Sequence, residues 1–406
     1  MKTLIGPFTQ LLTMDHLAES GHLPDDALEI IPNAGVLVQN GTIIAIDSFK
    51  TLQKQSHTLQ EIPCATVAMP GFIDAHTHIC FAGSRATDYS LRLKGLTYQE
   101  IAAQGGGILN SVKKTRQASQ TELETLLFER TQRLLELGVT TCEVKSGYGL
   151  TLDDEIKMLT AIRNVSNAQP VTLIPTCLAA HIVPPEFDQA AKYLNYLETI
   201  LFPILKQKQL TKRIDIFIDS TAFSVKDARP YLKSAQQQGF SICLHADQFS
   251  RGGVLLAAEL QSLSADHLEV SNEEDFAHLK RSGVIPIILP GASLGLGIPF
   301  GPARAILDHG LPLVLASDWN PGSAPMGHLL LQASLIGIAE RLSTAETLAA
   351  ITVRAAKALE LKDRGVLKVG MQADIIAFPC AHFHEILYHQ GSMLPYKTII
   401  KGSCQE

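Results

Sequence analysis

Hydrophobic and polar positions change rhythm twice along the chain. Before Thr66, short apolar runs alternate with turn residues, the pattern of paired strands. Gly35-Val36-Leu37-Val38 and Thr42-Ile43-Ile44-Ala45-Ile46 flank Asn40-Gly41, and that dipeptide between two such runs predicts a hairpin. From Thr66 onward, β-rich apolar runs alternate with longer stretches of helical period. Eight runs stand out: Thr66–His78, Thr140–Ser146, Val171–His181, Arg213–Asp219, Phe240–Ala246, Ser262–Leu268, Val284–Pro290 and Pro312–Asp318. Between them, Thr121–Leu137 places Leu123, Leu126, Leu127, Leu134 and Leu137 on one helical face. Asp153–Arg163 and Asp227–Gln238 also read as helices. Strand–helix alternation of this kind predicts an α/β fold, a (β/α)8 barrel over residues 66–354. After Thr352 the rhythm shortens again, to a helix over Arg354–Leu361 and short strands at Gly365–Leu367 and Gly370–Phe378. Neither terminal segment has the pattern to close a core alone. Residues 1–65 and 355–406 are therefore expected to form one small composite β-sandwich domain.

Composition narrows the class. Of 406 residues, 46% are hydrophobic and 18% charged, which describes a globular chain. The net charge of −6 and the lack of a basic stripe argue against a nucleic-acid partner. The longest apolar stretch, Val284–Gly301, is broken by Pro286, Pro290 and Pro299, so no membrane partner is expected. Met1–His16 has no small-residue cleavage pattern. The seven cysteines form no close CxxC pair, and Cys142, Cys177 and Cys243 sit in apolar runs. They read as reduced, buried thiols in a cytoplasmic protein. A homodimer is compatible with this chain, although nothing in the sequence locates an interface.

The strongest local signal is Asp74-Ala75-His76-Thr77-His78. Residues i and i+2 of a strand share a face, so two imidazoles are presented together, as a divalent metal requires. In isolation, two ordinary histidines at a loop start explain an HxH equally well. Here, however, His181, His245, His267 and Asp318 end other predicted strands. In a (β/α)8 barrel those strand ends face one pocket. The expected ligands are His76, His78, His245 and Asp318, a set that suits one Zn or Fe ion. Asp318 could also shuttle a proton. His267 reads as a catalytic hydrogen-bonding group, with a fifth ligand or a core histidine as the competing readings. Lys145 lies near a strand end but lacks the setting of a lysine bridging two metals, so a single ion is expected, with Lys145 paired to Glu143. Gly105-Gly106-Gly107 lacks phosphate-loop spacing and reads as a loop over the barrel mouth.

With these residues in place, the chain resembles the amidohydrolase superfamily. The Gly370-Met371-Gln372-Ala373-Asp374-Ile375 segment fits the same group. Four stretches resemble its imidazolonepropionase family: His78-Ile79-Cys80-Phe81-Ala82-Gly83-Ser84-Arg85, Gln104–Ile108, Glu143–Leu150 and Ser317–Ser323. The resemblance runs along essentially the whole chain. It implies a small-molecule substrate, 4-imidazolone-5-propanoate, opened by water to N-formimidoyl-L-glutamate in histidine degradation. A propanoate tail needs a cation, and Arg85, just beyond the first barrel strand, has the planar fork for it. Tyr148 sits between two glycines that allow close approach to a ligand. The resemblance also implies that His181, Gln248, Asn320, Gly322 and Ser323 contact substrate or product. Glu could serve at position 248, and 320–323 could equally be a plain turn. Tyr98 is a weaker candidate for the tail. The alternatives are another amidohydrolase, acting on a cyclic amide or a nucleobase, and a non-catalytic barrel scaffold.

Overall fold

The computed structural model describes residues 1–97, 100–101 and 104–405, so Tyr98 lies outside the described residues. Two eight-stranded sheets organise them. Strands β1 (Lys2–Leu12), β2 (Ile30–Gln39), β3 (Thr42–Ser48), β4 (Thr58–Glu61) and β5 (Val67–Pro70) come from the N-terminal part. They share one sheet with β14 (Ile375–Phe378), β15 (Lys397–Ile400) and β16 (Ser403–Cys404). The two chain ends thus complete one sheet, with β14 antiparallel to β5. The Asn40-Gly41 hairpin forms as expected. Both residues take positive φ, 52° and 78°, and Gln39 faces Thr42.

The second sheet is the barrel: β6 (Phe72–Asp74), β7 (Val139–Lys145), β8 (Thr172–Ala180), β9 (Arg213–Ile218), β10 (Ser241–Ala246), β11 (Ser264–His267), β12 (Ile285–Ile288) and β13 (Val314–Leu315), paired in that order. Neighbouring strands are parallel. All eight expected runs contribute. The seam between first and last strands is closed just beyond their ends: the Asp318 amide donates to His76 O at 3.0 Å, and the His78 amide to Trp319 O at 2.9 Å.

The surrounding helices follow local chemistry. Gln120–Glu136 is capped by Ser119, whose hydroxyl accepts from the Glu122 amide, and it buries Leu123, Leu127 and Leu134. Leu152–Ala168 is capped by Thr151 and runs five residues past the expected end. Val225–Gln237 starts at Ser224. Cys142, Cys177 and Cys243 are buried in the core. No helix of the described residues is long and apolar enough to cross a membrane.

Two local expectations are corrected. The run Thr66–His78 is not one strand: β5 belongs to the terminal sheet and β6 to the barrel, with the division at Gly71. A Cβ at Gly71 would lie 2.3–2.4 Å from the Thr140 side chain, so the crossing strands leave no room for one. Gly71→Ala is expected to destabilise the fold by about 1–3 kcal/mol through overpacking, measurable as a lower urea midpoint. Gly365–Leu367 is not a strand either. Gly365 takes φ +87° against Ala356, and Leu367 makes a backbone bond to Thr13 O, so this segment bends rather than extends.

Candidate metal centre

The barrel brings four of the expected groups together. His76 and His78 follow β6, His245 lies near the end of β10, and Asp318 follows β13. His78 Nε2 lies 3.2 Å from His76 Nε2 and 3.3 Å from His245 Nε2. Asp318 Oδ1 lies 3.4 Å from His78 Nε2 and 3.6 Å from His76 Nε2. All four side chains are buried.

The protons in this cluster decide what it can hold. His76 Nδ1 lies 2.6 Å from Asp266 Oδ2, and His245 Nδ1 lies 3.0 Å from Asp215 Oδ2. A neutral imidazole that gives Nδ1–H to a carboxylate keeps its lone pair on Nε2. Burial holds all three imidazoles neutral. It pushes His76 well below its usual pKa, His78 down to about 3 and His245 to about 4, with the nearby Lys145 charge adding to each. Two nitrogen lone pairs therefore converge on His78 Nε2 and a carboxylate oxygen, and one N–H cannot serve them all. The other nitrogen of His78, Nδ1, is buried with no hydrogen-bond partner among the described residues. Too many acceptors around too few protons is a cation's environment, and three imidazole nitrogens with one carboxylate fit a divalent metal.

Lys145 is the charge beneath this cluster. Its Nζ lies 2.8 Å from both Glu143 Oε1 and Asp215 Oδ2, and 3.8 Å from Asp266 Oδ2. The expected pairing with Glu143 is present and extends to the two carboxylates that face His76 and His245. Burial works against the ammonium, but Asp215 and Glu143 prevail and raise its pKa well above the usual value. Asp215 and Asp266 were not among the residues expected from sequence. The available signal was an acid inside each apolar run, Ile214-Asp215-Ile216 and Ala265-Asp266-His267. A charge there is costly unless paired.

His267 presents its ring 5.3 Å from that of His245, and its Nδ1 lies 3.4 Å from Glu269 Oε1. Burial would lower its pKa, but Glu269, with Asp318 and Asp266, raises it. His267 and Asp318 take positive φ, 89° and 50°. Such conformations cost about 1–3 kcal/mol each in non-glycine residues and cluster at functional sites.

A cavity of about 1,620 Å³ opens above the cluster, and Arg85, Tyr148, His181, Gln248, Asn320, Gly322 and Ser323 all line it. His181 stacks on His78, with ring centroids 5.4 Å apart, and its Nδ1 lies 3.1 Å from Gly147 O. Tyr148 packs beside both rings. Its loop is held by the buried Glu155, whose carboxylate accepts the amides of Gly147, Gly149 and Leu150 at 2.8–3.1 Å. The Asn320 amide is spent within its own loop: Nδ2 donates to Asp318 Oδ2 at 2.8 Å, and Oδ1 accepts from Gly322 and Ser323. It therefore fixes Asp318 as well as lining the cavity.

Comparison with known proteins agrees with this architecture. A model described as "Amidohydrolase family" matches residues 102–389. Among solved structures, an adenosine deaminase from Xanthomonas campestris with bound zinc superposes with a TM-score of 0.74 at 16% identity, covering 99% of this chain and 92% of the other. An atrazine chlorohydrolase from Arthrobacter aurescens complexed with zinc gives 0.71 at 14% identity, covering 99% and 94%. These similarities concern the fold. Sequence relatives go further. An imidazolonepropionase of Symbiobacterium thermophilum is 39% identical over 402 residues, 97% of this chain and 94% of its own. Those of Yersinia enterocolitica and Bacillus velezensis are 37% and 38% identical, covering 93% and 96% of this chain and 94% and 93% of their own. Identity at this level along nearly the full length of both partners exceeds what a shared barrel produces, and this chain belongs to the imidazolonepropionase family of the amidohydrolases.

Proposed function

We propose that the chain catalyses the imidazolonepropionase reaction, opening the ring of 4-imidazolone-5-propanoate with water to give N-formimidoyl-L-glutamate. One juxtaposition carries the reading: the guanidinium of Arg85, a group suited to a carboxylate, and a metal-type donor cluster face the same cavity. The relatives named for this activity support it. His76, His78, His245 and Asp318 would hold one zinc or iron ion; both metals suit the donor set, and metal analysis distinguishes them. When bound, such an ion supplies Lewis acidity, polarising a carbonyl oxygen and making water acidic near neutral pH.

The chain's own groups do the rest. The Arg85 guanidinium binds the propanoate, and Tyr148, His181 and Gln248 enclose the ring. The water oxygen adds to the ring carbonyl carbon, and the bond from that carbon to the ring nitrogen breaks. Asp318, held in place through Oδ2 by the Asn320 amide and set beside the imidazole cluster, is placed to accept a proton. It takes the water proton, which ends on the departing nitrogen. His267, held by Glu269, donates a hydrogen bond to the carbonyl oxygen as charge builds there. The seven free thiols fit a reducing compartment, the cytoplasm.

The test is spectrophotometric loss of imidazolonepropionate by the purified, metal-analysed protein, alongside guanine, cytosine and hydantoin. Turnover of a nucleobase alone would replace this reading with that of a nucleobase aminohydrolase. Arg85→Ala is expected to raise KM by about tenfold to a hundredfold, with a smaller fall in kcat. Unchanged constants would remove Arg85 from the substrate site.

A further inference from the structure

Three sequence motifs with no assigned joint role meet around one side chain. Arg85 precedes the helix Ala86–Leu93, and its Nε donates to Asp88 Oδ2 at 2.8 Å. The same oxygen accepts the Gly107 amide at 2.8 Å. Asp88 is buried, although it lies at the edge of the cavity. Two glycines leave space for this arrangement rather than supplying an unusual backbone, since neither takes a positive φ. A Cβ at Gly106 would lie 2.7 Å from Asp88 Oδ1 and as close to Ile101. A Cβ at Gly322 would lie 2.3 Å from Arg85 Nη1 and 3.0 Å from its Cζ. The triple-glycine segment, the loop after the last barrel strand and the Ala82–Arg85 turn therefore build a single seat.

We propose that Asp88 is the positioning residue for the substrate's carboxylate group, fixing the Arg85 guanidinium through Nε and tying it to the Gly107 amide, and that Gly322 is a glycine so that the guanidinium can lie against it. The inference rests on the reading of Arg85 as the carboxylate ligand. An arginine side chain loses much rotamer freedom when ordered. Asp88 orders it before substrate arrives, so less of the carboxylate's binding energy goes into holding the fork still. With Nε occupied, the two terminal nitrogens remain as the paired donors a carboxylate prefers. Asp88 is hydrogen-bonded to Arg85 and to the Gly107 amide rather than to the imidazole cluster, so its effect belongs in binding.

The experiment is steady-state kinetics on metal-loaded Asp88→Ala, Asp88→Asn and Gly322→Ala, with thermal unfolding as a control for folding. Asp88→Ala is expected to raise KM for imidazolonepropionate by about tenfold to a hundredfold while kcat changes by less than about threefold. Asp88→Asn retains an acceptor oxygen and should recover part of that loss. Gly322→Ala should raise KM in the parent protein and have little effect when added to Arg85→Ala, because the group it displaces is already gone. An imidazolone lacking the propanoate should bind parent and Asp88→Ala equally as a competitive inhibitor. A KM unchanged in folded Asp88→Ala, or a loss confined to kcat, overturns the proposal. So does a Gly322→Ala effect of equal size with and without Arg85. If the parent protein does not turn over imidazolonepropionate at all, the functional reading fails first, and thermal-shift titration of propanoate-bearing imidazoles against Asp88→Ala decides the seat separately.

Discussion

His245→Ala is expected to lose bound metal and activity together, with kcat/KM falling by roughly a thousandfold or more. The physical reason is the economy of the cluster. His245 supplies one of three imidazole nitrogens, and its Nε2 lies only 3.3 Å from that of His78. Deleting the ring also leaves Asp215 without the imidazole it faces at 3.0 Å. Metal-to-protein ratio by atomic spectroscopy, read beside turnover, checks the expectation. An active variant that keeps its full complement of metal would refute the ligand assignment. Chelation of the parent protein should reproduce the activity loss, and readdition of metal should restore it, which the variant should not match.

Lys145→Met is expected to lower unfolding free energy by about 3–5 kcal/mol, the cost of stranding buried charge when one partner is deleted. Glu143, Asp215 and Asp266 would be left together in a dry interior with no cation at 2.8–3.8 Å. Burial alone would raise Asp215's pKa, but His245 and Lys145 keep it below the usual carboxylate range. Asp215 and Asp266 orient the His245 and His76 rings, so metal affinity is expected to fall by about tenfold to a hundredfold as that orientation is lost, outweighing the gain from removing a nearby positive charge. Urea unfolding of the metal-loaded protein and competition with a chelator measure the two effects separately. Stability within about 1 kcal/mol of the parent, with unchanged metal affinity, would show that the lysine is not what holds these carboxylates.

Much of this architecture is legible in the sequence. Most of the barrel strands announce themselves as short apolar runs between helical stretches, because a parallel strand buried on both faces must look that way. The convergence of His76, His78, His245 and Asp318 is legible for a related reason: a histidine or aspartate at the end of such a run has one destination in a barrel. What stayed hidden depends on register and crossing. Nothing local says that Asp215 pairs across strands with Cys243 while its carboxylate reaches the His245 ring two residues further along β10. The division of Thr66–His78 at Gly71 was hidden because both halves are strands, and only their different neighbours separate them. The role of Asn320 was obscured by composition, since Asn-Pro-Gly-Ser reads first as a turn. Gly365–Leu367 misled because a positive φ at a glycine leaves no mark in a hydrophobicity pattern.

The seam that closes the barrel also carries a consequence for how the protein is made. His76 and His78 emerge from the ribosome roughly 240 residues before Asp318, an interval of about 12–48 s at ordinary translation speeds. During that time the nascent polypeptide can offer two imidazoles, and later a third, but not the carboxylate or the strand that locks the first one in place. The four-donor cluster is therefore complete only once synthesis has passed residue 318, and a truncated chain ending before it is expected to bind a divalent metal less tightly than the full chain.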